Sequence, residues 1–553
     1  MKKIYLETFG CQMNVLDSEL VEAQLRALGY GFTPALEDAD VVLYNTCSVR
    51  ERSEQKVWSR LGRMKERKQE QPDLVIGVIG CMAERDGTSL MKRMKHVDLM
   101  CGPSELDQLP SLLDNVLKTG KQQHALAGNT SRRTKTLDHA AEQEDGLELL
   151  DLGRSFSPTA SDGVGGGHRF QSYVRIVRGC NKFCTYCVVP YTRGAEVSRS
   201  PQAILEECKK LADAGSLEIT LLGQTVNHYV YEEPSAASAA GGPTKNRTTF
   251  AELLHLLHEN LPHVPRLRFI TSFPADFGDD ILHVMAASPR ICRYLHIPAQ
   301  SGSNRILKLM NRGYTVESYL ELLERARRIV PGIQLAGDFI VGFPTETDED
   351  YAATRALVEK ARYKNCFIFK YSPRPGTVAI KRHEDDVPEE VKRFRNNDLL
   401  RVQNRICSEL NRELVGTVME VLCEGPSGWK SPAGDGESVV AGAHAAHSCS
   451  DNAQGTGVQL GATLAAGMQR QGRLDRHGNP FVAPTVPEFR NPEDVQLTAR
   501  TTFDQVVVFD GPVELTGRIV PVRVREAHGM TIFAEAVNLP RGAAENAAVP
   551  AIA

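Results

Sequence analysis

Three cysteines in the segment RGCNKFCTYCVVPYTRG have a spacing suited to binding iron. Cys180, Cys184 and Cys187 form a C-x3-C-x2-C pattern directly after a predicted strand. Three thiolates on one short loop can bind three irons of a [4Fe–4S] cluster and leave the fourth iron open to another ligand. A zinc site completed by His168 or Cys208 is the alternative, although zinc loops usually pair C-x2-C with a second pair at a distance. The pattern favours the iron–sulfur cluster.

Three further cysteines, Cys11, Cys47 and Cys81, lie far apart in the chain but share a structural context. Each follows a predicted strand, in TFGCQMN, YNTCSVR and VIGCMAE. The carboxyl ends of parallel strands meet at one edge of a sheet, where α/β proteins place their ligands. Any one of these cysteines alone is equally well explained as a buried thiol. Three in equivalent positions predict a second cluster with three cysteine ligands.

The elements that carry the second set follow a β-α-β-α order. The predicted strands Ile4–Phe9, Val41–Tyr44 and Leu74–Ile79 are continuously apolar and alternate with amphipathic helices. This pattern is typical of a parallel sheet covered on both faces, so we predict a Rossmann-like α/β domain. Asn14, followed three residues later by Asp17, is the expected N-cap of the first helix.

A second βα series follows and is predicted to form an incomplete (β/α)6 barrel, with its working face at the carboxyl ends of the strands. The candidate strands are Tyr173–Val177, Glu218–Leu222, Leu267–Thr271, Tyr294–Ile297, Ile333–Ile340 and Phe367–Tyr371. Within this series, the segment 232–248 is rich in small and polar residues and reads as a surface insertion.

The rest of the chain is predicted to contain a helix around Val391–Leu414 and a small antiparallel β-barrel with a long insertion in one hairpin. The predicted parts are an N-terminal domain with the second cysteine set at 1–130, a linker at 131–168, the incomplete barrel at 169–410, the small β-barrel at 411–540 with its insertion at about 427–495, and a tail at 541–553.

Length and composition agree with a multidomain chain without a membrane segment. The chain has 553 residues, a formal charge of -4 and 13 cysteines. Because the net charge is slightly negative, any nucleic-acid binding must come from local basic patches. No apolar stretch approaches the roughly 18 residues of a membrane span, and the N-terminus lacks a signal-peptide pattern. We therefore expect a cytoplasmic protein whose cysteines are reduced thiols or metal ligands.

Together these segments resemble one family, the radical S-adenosylmethionine (SAM) methylthiotransferases, and within it the branch that acts on N6-isopentenyladenosine in tRNA. The resemblance covers residues 1–425 and resumes around Leu497–Ala536, where the chain is similar to a TRAM domain, a small RNA-binding β-barrel. It is carried by ETFGCQMNVLDSE, NTCSVRERSEQKV, GCNKFCTYCVVPYTRG, LLGQTVN, HIPAQSGS, MNRGYT, DFIVGFPTET and YSPRPGT.

The resemblance implies a function and its cofactors. It implies two [4Fe–4S] clusters, and SAM as both radical source and methyl donor. It also implies that the substrate is the anticodon stem-loop of tRNA, where C2 of A37 receives the methylthio group. An electron donor such as flavodoxin or ferredoxin is expected as a partner, and we expect a monomer without membrane association. Gln224 and Asn227 at a barrel strand end are candidates for binding SAM, while a loop-capping role for Asn227 stays open.

Three other functions account for the sequence less well. A methylthiotransferase acting on a ribosomal-protein aspartate has the same fold, but the segments GCQMN and YSPRPGT resemble the tRNA branch. Enzymes acting on threonylcarbamoyladenosine in tRNA typically differ in the residues after the first cysteine. An iron–sulfur RNA-binding sensor without enzymatic activity leaves the barrel pattern unexplained.

The helix predicted after Cys47 is strongly basic. It carries Trp58 among residues such as Arg60, Arg63, Lys65 and Arg67. Such a helix is suited to following tRNA phosphates while Trp58 stacks on a base. An ordinary solvated helix face with Trp58 half-buried is the alternative.

Overall fold

A computed structural model describes residues 1–48, 51–127, 146–153, 170–233, 247–427 and 494–537. Two compact units are present, and the boundary between them falls between Gln403 and Asn404. The first unit contains both cysteine sets, and the second contains the β-rich tail. In the described part of the chain, no helix is both long and apolar enough to cross a membrane.

The first unit begins with a six-stranded parallel sheet of order β2-β1-β3-β4-β5-β6. Its strands are β1 Lys3–Thr8, β2 Gly31–Phe32, β3 Val41–Thr46, β4 Val75–Gly80, β5 Leu99–Cys101 and β6 Gln123–Ala125. Its helices are α1 Gln12–Ala27, α2 Glu51–Glu70, α3 Cys81–Asp86, α4 Thr88–Arg93 and α5 Leu109–Thr119. Short 3-10 turns lie at Leu36–Asp38 and Leu106–Gln108.

Both faces of this sheet are covered, as the apolar strands predict. Val41 and Leu43 of β3 join the core on one face, and Val42 and Tyr44 join the core on the other. Every residue of β3 is buried, which is the burial expected for a central parallel strand. The Rossmann-like prediction is confirmed.

The segment predicted as a linker, 131–168, contains a helix that the sequence did not predict. Residues 146–153, named α6, are helical. Leu147 and Leu150 of α6 are buried in the same core as β1 and α1. Its Asp151 is also buried, at 1 % exposure. This segment is therefore packed onto the sheet domain.

The second βα series forms the predicted incomplete barrel. Two three-stranded parallel sheets, β7-β10-β13 and β14-β15-β16, are joined by a parallel bridge between Leu267 and Ile291. The six barrel strands are β7 Gln171–Arg175, β10 Glu218–Leu222, β13 Arg266–Phe269, β14 Tyr294–His296, β15 Gln334–Val341 and β16 Asn365–Lys370. Two short antiparallel pairs are β8 Val177–Arg178 with β9 Val197–Ser198, and β11 Val230–Glu232 with β12 Arg247–Thr249.

Helices separate the barrel strands along the chain. They are α7 Val189–Thr192, α8 Pro201–Asp213, α9 Phe250–Asn260, α10 Asp279–Ala287, α11 Asn304–Leu309, α12 Val316–Ile329, α13 Asp348–Ala361 and α14 Val378–Arg382. Further 3-10 turns lie at Val226–His228 and Pro274–Asp276. The predicted insertion at 232–248 begins in β11 and ends in β12, and its middle lies outside the described residues.

A long helix, α15 Glu389–Arg412, leads to a closed barrel of order β17-β18-β19-β21-β20. Its strands are β17 Val418–Pro426, β18 Val495–Thr501, β19 Val506–Gly511, β20 Ile519–His528 and β21 Thr531–Ala536, with a 3-10 turn at Val513–Leu515. Pro426 of β17 pairs with Leu497 of the antiparallel β18. The predicted insertion thus lies between paired strands, with residues 428–493 outside the described part. The small β-barrel is confirmed, but it is not wholly antiparallel, because β19 and β21 pair in parallel.

Candidate active site

The N-terminal cysteine set lies at one edge of the parallel sheet. Cys11 follows β1, Cys47 follows β3 and Cys81 follows β4. These three strands are neighbours and parallel, so their carboxyl ends lie side by side. Cys47 and Cys81 are buried and Cys11 is half-buried. The structure therefore places these three cysteines at one edge of the sheet, as the sequence predicts.

The loop before Cys11 approaches Cys47 so closely that it requires glycine. Gly10 has a φ of 127°, and a Cβ placed there would lie 2.5 Å from Cys47 Cβ and 3.2 Å from Cys47 Sγ. A side chain at this position would displace Cys47, and an L residue rarely adopts such a φ. Gly10 thus brings the β1 loop into contact with the end of β3.

Asn14 holds the same loops together through hydrogen bonds. Its Nδ2 donates to the carbonyl oxygens of Phe9 at 3.1 Å and Thr46 at 2.9 Å. The expectation that Asn14 caps α1 is wrong, because the helix begins at Gln12 with Cys11 as its N-cap. The side chain of Asn14 is fully buried and serves the loops that carry the cysteines.

A buried cation lies beside the N-terminal cysteines. Arg193 Nη2 donates to Asp17 Oδ2 at 2.6 Å and to Asn14 Oδ1 at 3.2 Å. Burial raises the pKa of the Cys81 thiol, while Arg193 opposes this through its charge and a side-chain hydrogen bond. Burial alone would lower the pKa of Arg193, but Asp17, Cys81 and Cys11 raise it overall. Arg193 therefore stays charged at this edge.

The second cysteine set lies on the loop between β8 and α7. Cys180 Sγ accepts a hydrogen bond from the backbone N–H of Lys182 at 3.4 Å and lies 3.8 Å from Thr225 Oγ1. Arg312 Nη1 donates to Cys184 Sγ at 3.3 Å. Arg312 is 5 % exposed and also lies 4.6 Å from the centre of the Phe273 ring.

Burial and neighbouring thiols affect the pKa values of cysteines in this loop. The pKa of Cys187 is raised to about 12, chiefly by burial and also by the charges of Cys184 and Cys180. Burial also raises the pKa of Cys180. Soft donors of this kind fit a metal cluster, because iron binds thiolates and compensates their charge.

A single metal ion requires its ligands to converge on one point, whereas a cluster does not. Among the described residues, no three His, Cys, Asp or Glu side chains are arranged to hold one ion. In a [4Fe–4S] cluster each thiolate binds its own iron, so the sulfurs do not need to share one ion. For the zinc alternative, His168 lies outside the described residues, and Cys208 is buried in α8.

The two residues predicted to bind SAM lie in different surroundings. Gln224 lines a small cavity together with Met13, Arg178 and Arg193, between the sheet domain and the barrel. Asn227 is 8 % exposed, donates through Nδ2 to Phe273 O at 3.0 Å and accepts from Phe273 N at 2.7 Å. Its amide therefore fastens two barrel loops, which is the structural role that the sequence left open.

The basic helix α2 uses several of its charges within the sheet domain. Arg60 pairs with Glu7 at 3.1 Å, and Arg67 donates to the carbonyl oxygen of Ala39 at 2.9 Å. Trp58 is half-buried, with the Arg93 guanidinium 4.5 Å from the ring centre. These contacts favour the ordinary structural role for this part of the helix. The side chains that remain exposed include Lys56, Arg63 and Lys65.

Two arginines near the cysteines lie in segments that carry the family resemblance, but no sequence pattern assigns them a role. Arg193 lies in PYTRG and Arg312 lies in MNRGYT. Each is a single arginine in a loop, and each contacts residues distant in the chain. The only sequence signal was their position within segments typical of the family.

Comparisons with known proteins match both parts of the first unit. Residues 3–102 match the family model described as "Uncharacterized protein family UPF0004", and residues 174–358 match the model of the Radical SAM superfamily. The first segment contains Cys11, Cys47 and Cys81. The second contains the C-x3-C-x2-C loop.

Curated relatives are similar over most of the chain. A tRNA-2-methylthio-N(6)-dimethylallyladenosine synthase of Rhodopirellula baltica is 38 % identical over 533 residues, which cover 96 % of this chain and 95 % of the relative. A protein of the same name from Bacteroides fragilis is 42 % identical over 429 residues, covering 77 % and 86 %.

Among solved structures, the radical S-adenosylmethionine methyltransferase TsrM from Kitasatospora setae, with cobalamin and a [4Fe-4S] cluster bound, aligns with a TM-score of 0.45. Its identity is 15 %, and the alignment covers 68 % of this chain and 77 % of TsrM.

Proposed function

Because the chain belongs to the family of the tRNA-2-methylthio-N(6)-dimethylallyladenosine synthases, we propose that it attaches a methylthio group to C2 of N6-isopentenyladenosine at position 37 of tRNA. The chain is a radical SAM enzyme and a tRNA methylthiotransferase. The observation that carries the proposal is the presence of two separate three-cysteine sets in one unit. One lies on a single barrel loop, and the other is assembled from three neighbouring strand ends.

The cofactors of this reaction are two [4Fe–4S] clusters and SAM. Cys180, Cys184 and Cys187 would hold one cluster, and Cys11, Cys47 and Cys81 would hold the cluster that handles sulfur. When bound, the first cluster supplies the electron that cleaves SAM and yields a 5′-deoxyadenosyl radical, which is able to remove hydrogen from a carbon such as C2.

Residues of the chain compensate charge at the cysteines and fix the loops around them. Arg312 places a buried positive charge against Cys184, where it offsets the charge of a thiolate. Asn227 fixes the backbone of Phe273 at the barrel mouth, and Arg312 packs over the Phe273 ring. We propose that the side-chain amide of Gln224 binds a polar group of SAM, and Asn227 is retained as the second candidate.

Several wider features belong to the same proposal. It includes the division of the chain into an N-terminal domain, a linker, the incomplete barrel, the small β-barrel and a tail. The enzyme would work in the cytoplasm as a monomer, reduced by a flavodoxin- or ferredoxin-type donor. It would bind the anticodon stem-loop of its tRNA substrate with the help of exposed arginines of the small β-barrel, such as Arg518 and Arg523.

The test is nucleoside mass spectrometry of tRNA from cells that lack the gene. We expect N6-isopentenyladenosine to accumulate without its methylthio group, and the full-length gene to restore the modification. Methylthiolated threonylcarbamoyladenosine, measured in the same digests, should be unchanged. Loss of that nucleoside in place of the first would assign the enzyme to the other tRNA branch.

A further inference from the structure

Arg193 belongs to the barrel but reaches the cysteine set of the sheet domain. It follows α7, which is part of the loop region that begins at Cys180. Its guanidinium contacts Asp17 and Asn14 of α1 at 2.6 and 3.2 Å. The side chain is 7 % exposed and its partner Asp17 is 1 % exposed. A long cationic side chain is thus held entirely inside the protein, at the end of the sheet where Cys11 and Cys81 lie.

The backbone beside Arg193 contacts the other cysteine set. The N–H of Cys180 donates to the carbonyl oxygen of Gly194 at 3.2 Å. Gly179 has a φ of 65°, and a Cβ there would lie 1.9 Å from the carbonyl oxygen of Ala195. The three residues from Arg193 to Ala195 therefore lie directly against the C-x3-C-x2-C loop.

We propose that Arg193 is a positioning residue that fixes the N-terminal cysteine set against the SAM-cleaving loop and offsets the negative charge of a cluster bound by Cys11, Cys47 and Cys81. This rests on the proposed function, which places a cluster at that set. The charge of Arg193 should affect the reduction potential of that cluster. A buried cation near a cluster stabilises the reduced form, which carries one more negative charge, so loss of the cation makes the reduction potential more negative.

The experiment isolates the N-terminal set in the full-length chain. Cys180, Cys184 and Cys187 are replaced with alanine, the protein is reconstituted anaerobically, and a redox titration is followed by electron paramagnetic resonance. In this parent protein we expect about four irons. Arg193→Gln should keep that iron content, lower the midpoint potential and change the spectrum. Arg193→Lys, which retains a positive charge, should recover most of the potential.

Arg374→Gln is the matched control. Arg374 Nη1 donates to Glu54 Oε1 at 2.6 Å and forms a partly buried ion pair that also joins the barrel to the sheet domain. This variant loses a contact between the same two parts and should leave the potential unchanged. An equal shift in Arg374→Gln would mean that loosened packing is the cause, and would overturn the proposal.

A second variant covers the case in which Arg193→Gln does not fold because Asp17 is left buried with less compensation. The double variant Asp17→Asn with Arg193→Gln removes both charges, and its potential should be lower than that of Asp17→Asn alone, because these two proteins differ only in the charge of Arg193. If the parent binds no iron, the assignment of Cys11, Cys47 and Cys81 in the proposed function is wrong. If it binds iron but neither neutral variant shifts the potential, Arg193 is only a contact between domains.

Discussion

Replacing Cys11, Cys47 and Cys81 together with alanine tests whether the two cysteine sets act separately. The exchange should leave the protein folded. Cys47 and Cys81 are 1 % and 5 % exposed, and each exchange removes one buried sulfur. Loss of a buried group of about that size costs about 1 kcal/mol, and Cys11 is only half-buried, so the triple variant loses at most about 3 kcal/mol. This is less than the roughly 5–15 kcal/mol by which folded domains are typically stable.

The expected result is a partial loss of iron and a complete loss of product. Anaerobically reconstituted wild-type protein should contain about eight irons and the triple variant about four. The variant should still form 5′-deoxyadenosine from SAM, measured by liquid chromatography, because the loop with Cys180, Cys184 and Cys187 is intact. Nucleoside mass spectrometry should find no methylthio group on tRNA. The converse triple variant, lacking the loop cysteines, should lose both activities.

Cys101 provides a matched control at the same edge of the sheet. It ends β5, the strand next to β4, and is fully buried. Its thiol donates to the carbonyl oxygen of Glu105 at 3.0 Å. Cys101→Ala should therefore retain about eight irons and full activity. Wild-type rates of methylthiolation in the Cys11, Cys47 and Cys81 variant would refute the assigned mechanism and leave those cysteines as packing residues.

Three other perturbations have definite expected outcomes. Asp151→Asn removes the carboxylate that binds buried arginines and should destabilise the protein by about 3–5 kcal/mol in thermal unfolding; an unchanged midpoint would contradict this. Burial raises the pKa of Glu346 from 4.5 to about 7, so its contribution favours folding at low pH and is lost as pH rises from about 4.5 to 7; Glu346→Gln should flatten the fall in stability over that same pH range. Replacing Lys56, Arg63 and Lys65 with glutamine should reduce the salt dependence of tRNA binding by up to about 0.9 in slope per residue, whereas an equal slope would exclude them as phosphate contacts.

Much of the fold was predictable because parallel strands buried on both faces are continuously apolar. The strand Glu218–Leu222 has the predicted bounds, and the other barrel strands begin within two residues of their predicted starts. The start of α1 was mispredicted because Asn14, a typical capping residue, is committed to the carbonyls of neighbouring loops. The helix at 146–153 was missed because its leucines stand in a polar segment and are buried only by the core they join.

The two cysteine sets differ in how the sequence revealed them. The loop set is a local pattern, and the N-terminal set follows from the rule that parallel strand ends share an edge. Arg193 and Asp17 follow from neither, because they are 176 residues apart and no periodicity connects them. Contacts of this kind depend on how the barrel and the sheet pack, and that information is absent from local sequence patterns.

The residues that follow the N-terminal cysteines explain how the two sets keep a fixed relation. Asp17, in the helix after Cys11, pairs with Arg193, and Glu54, in the helix after Cys47, pairs with Arg374. Asp17 also pairs with Arg175, and Glu54 also pairs with Arg85, so removing Arg193 or Arg374 leaves the carboxylate with less compensation. Sliding the barrel along the sheet would break both pairs at once. The elements that supply the N-terminal cysteines therefore also supply charges that hold them against the barrel.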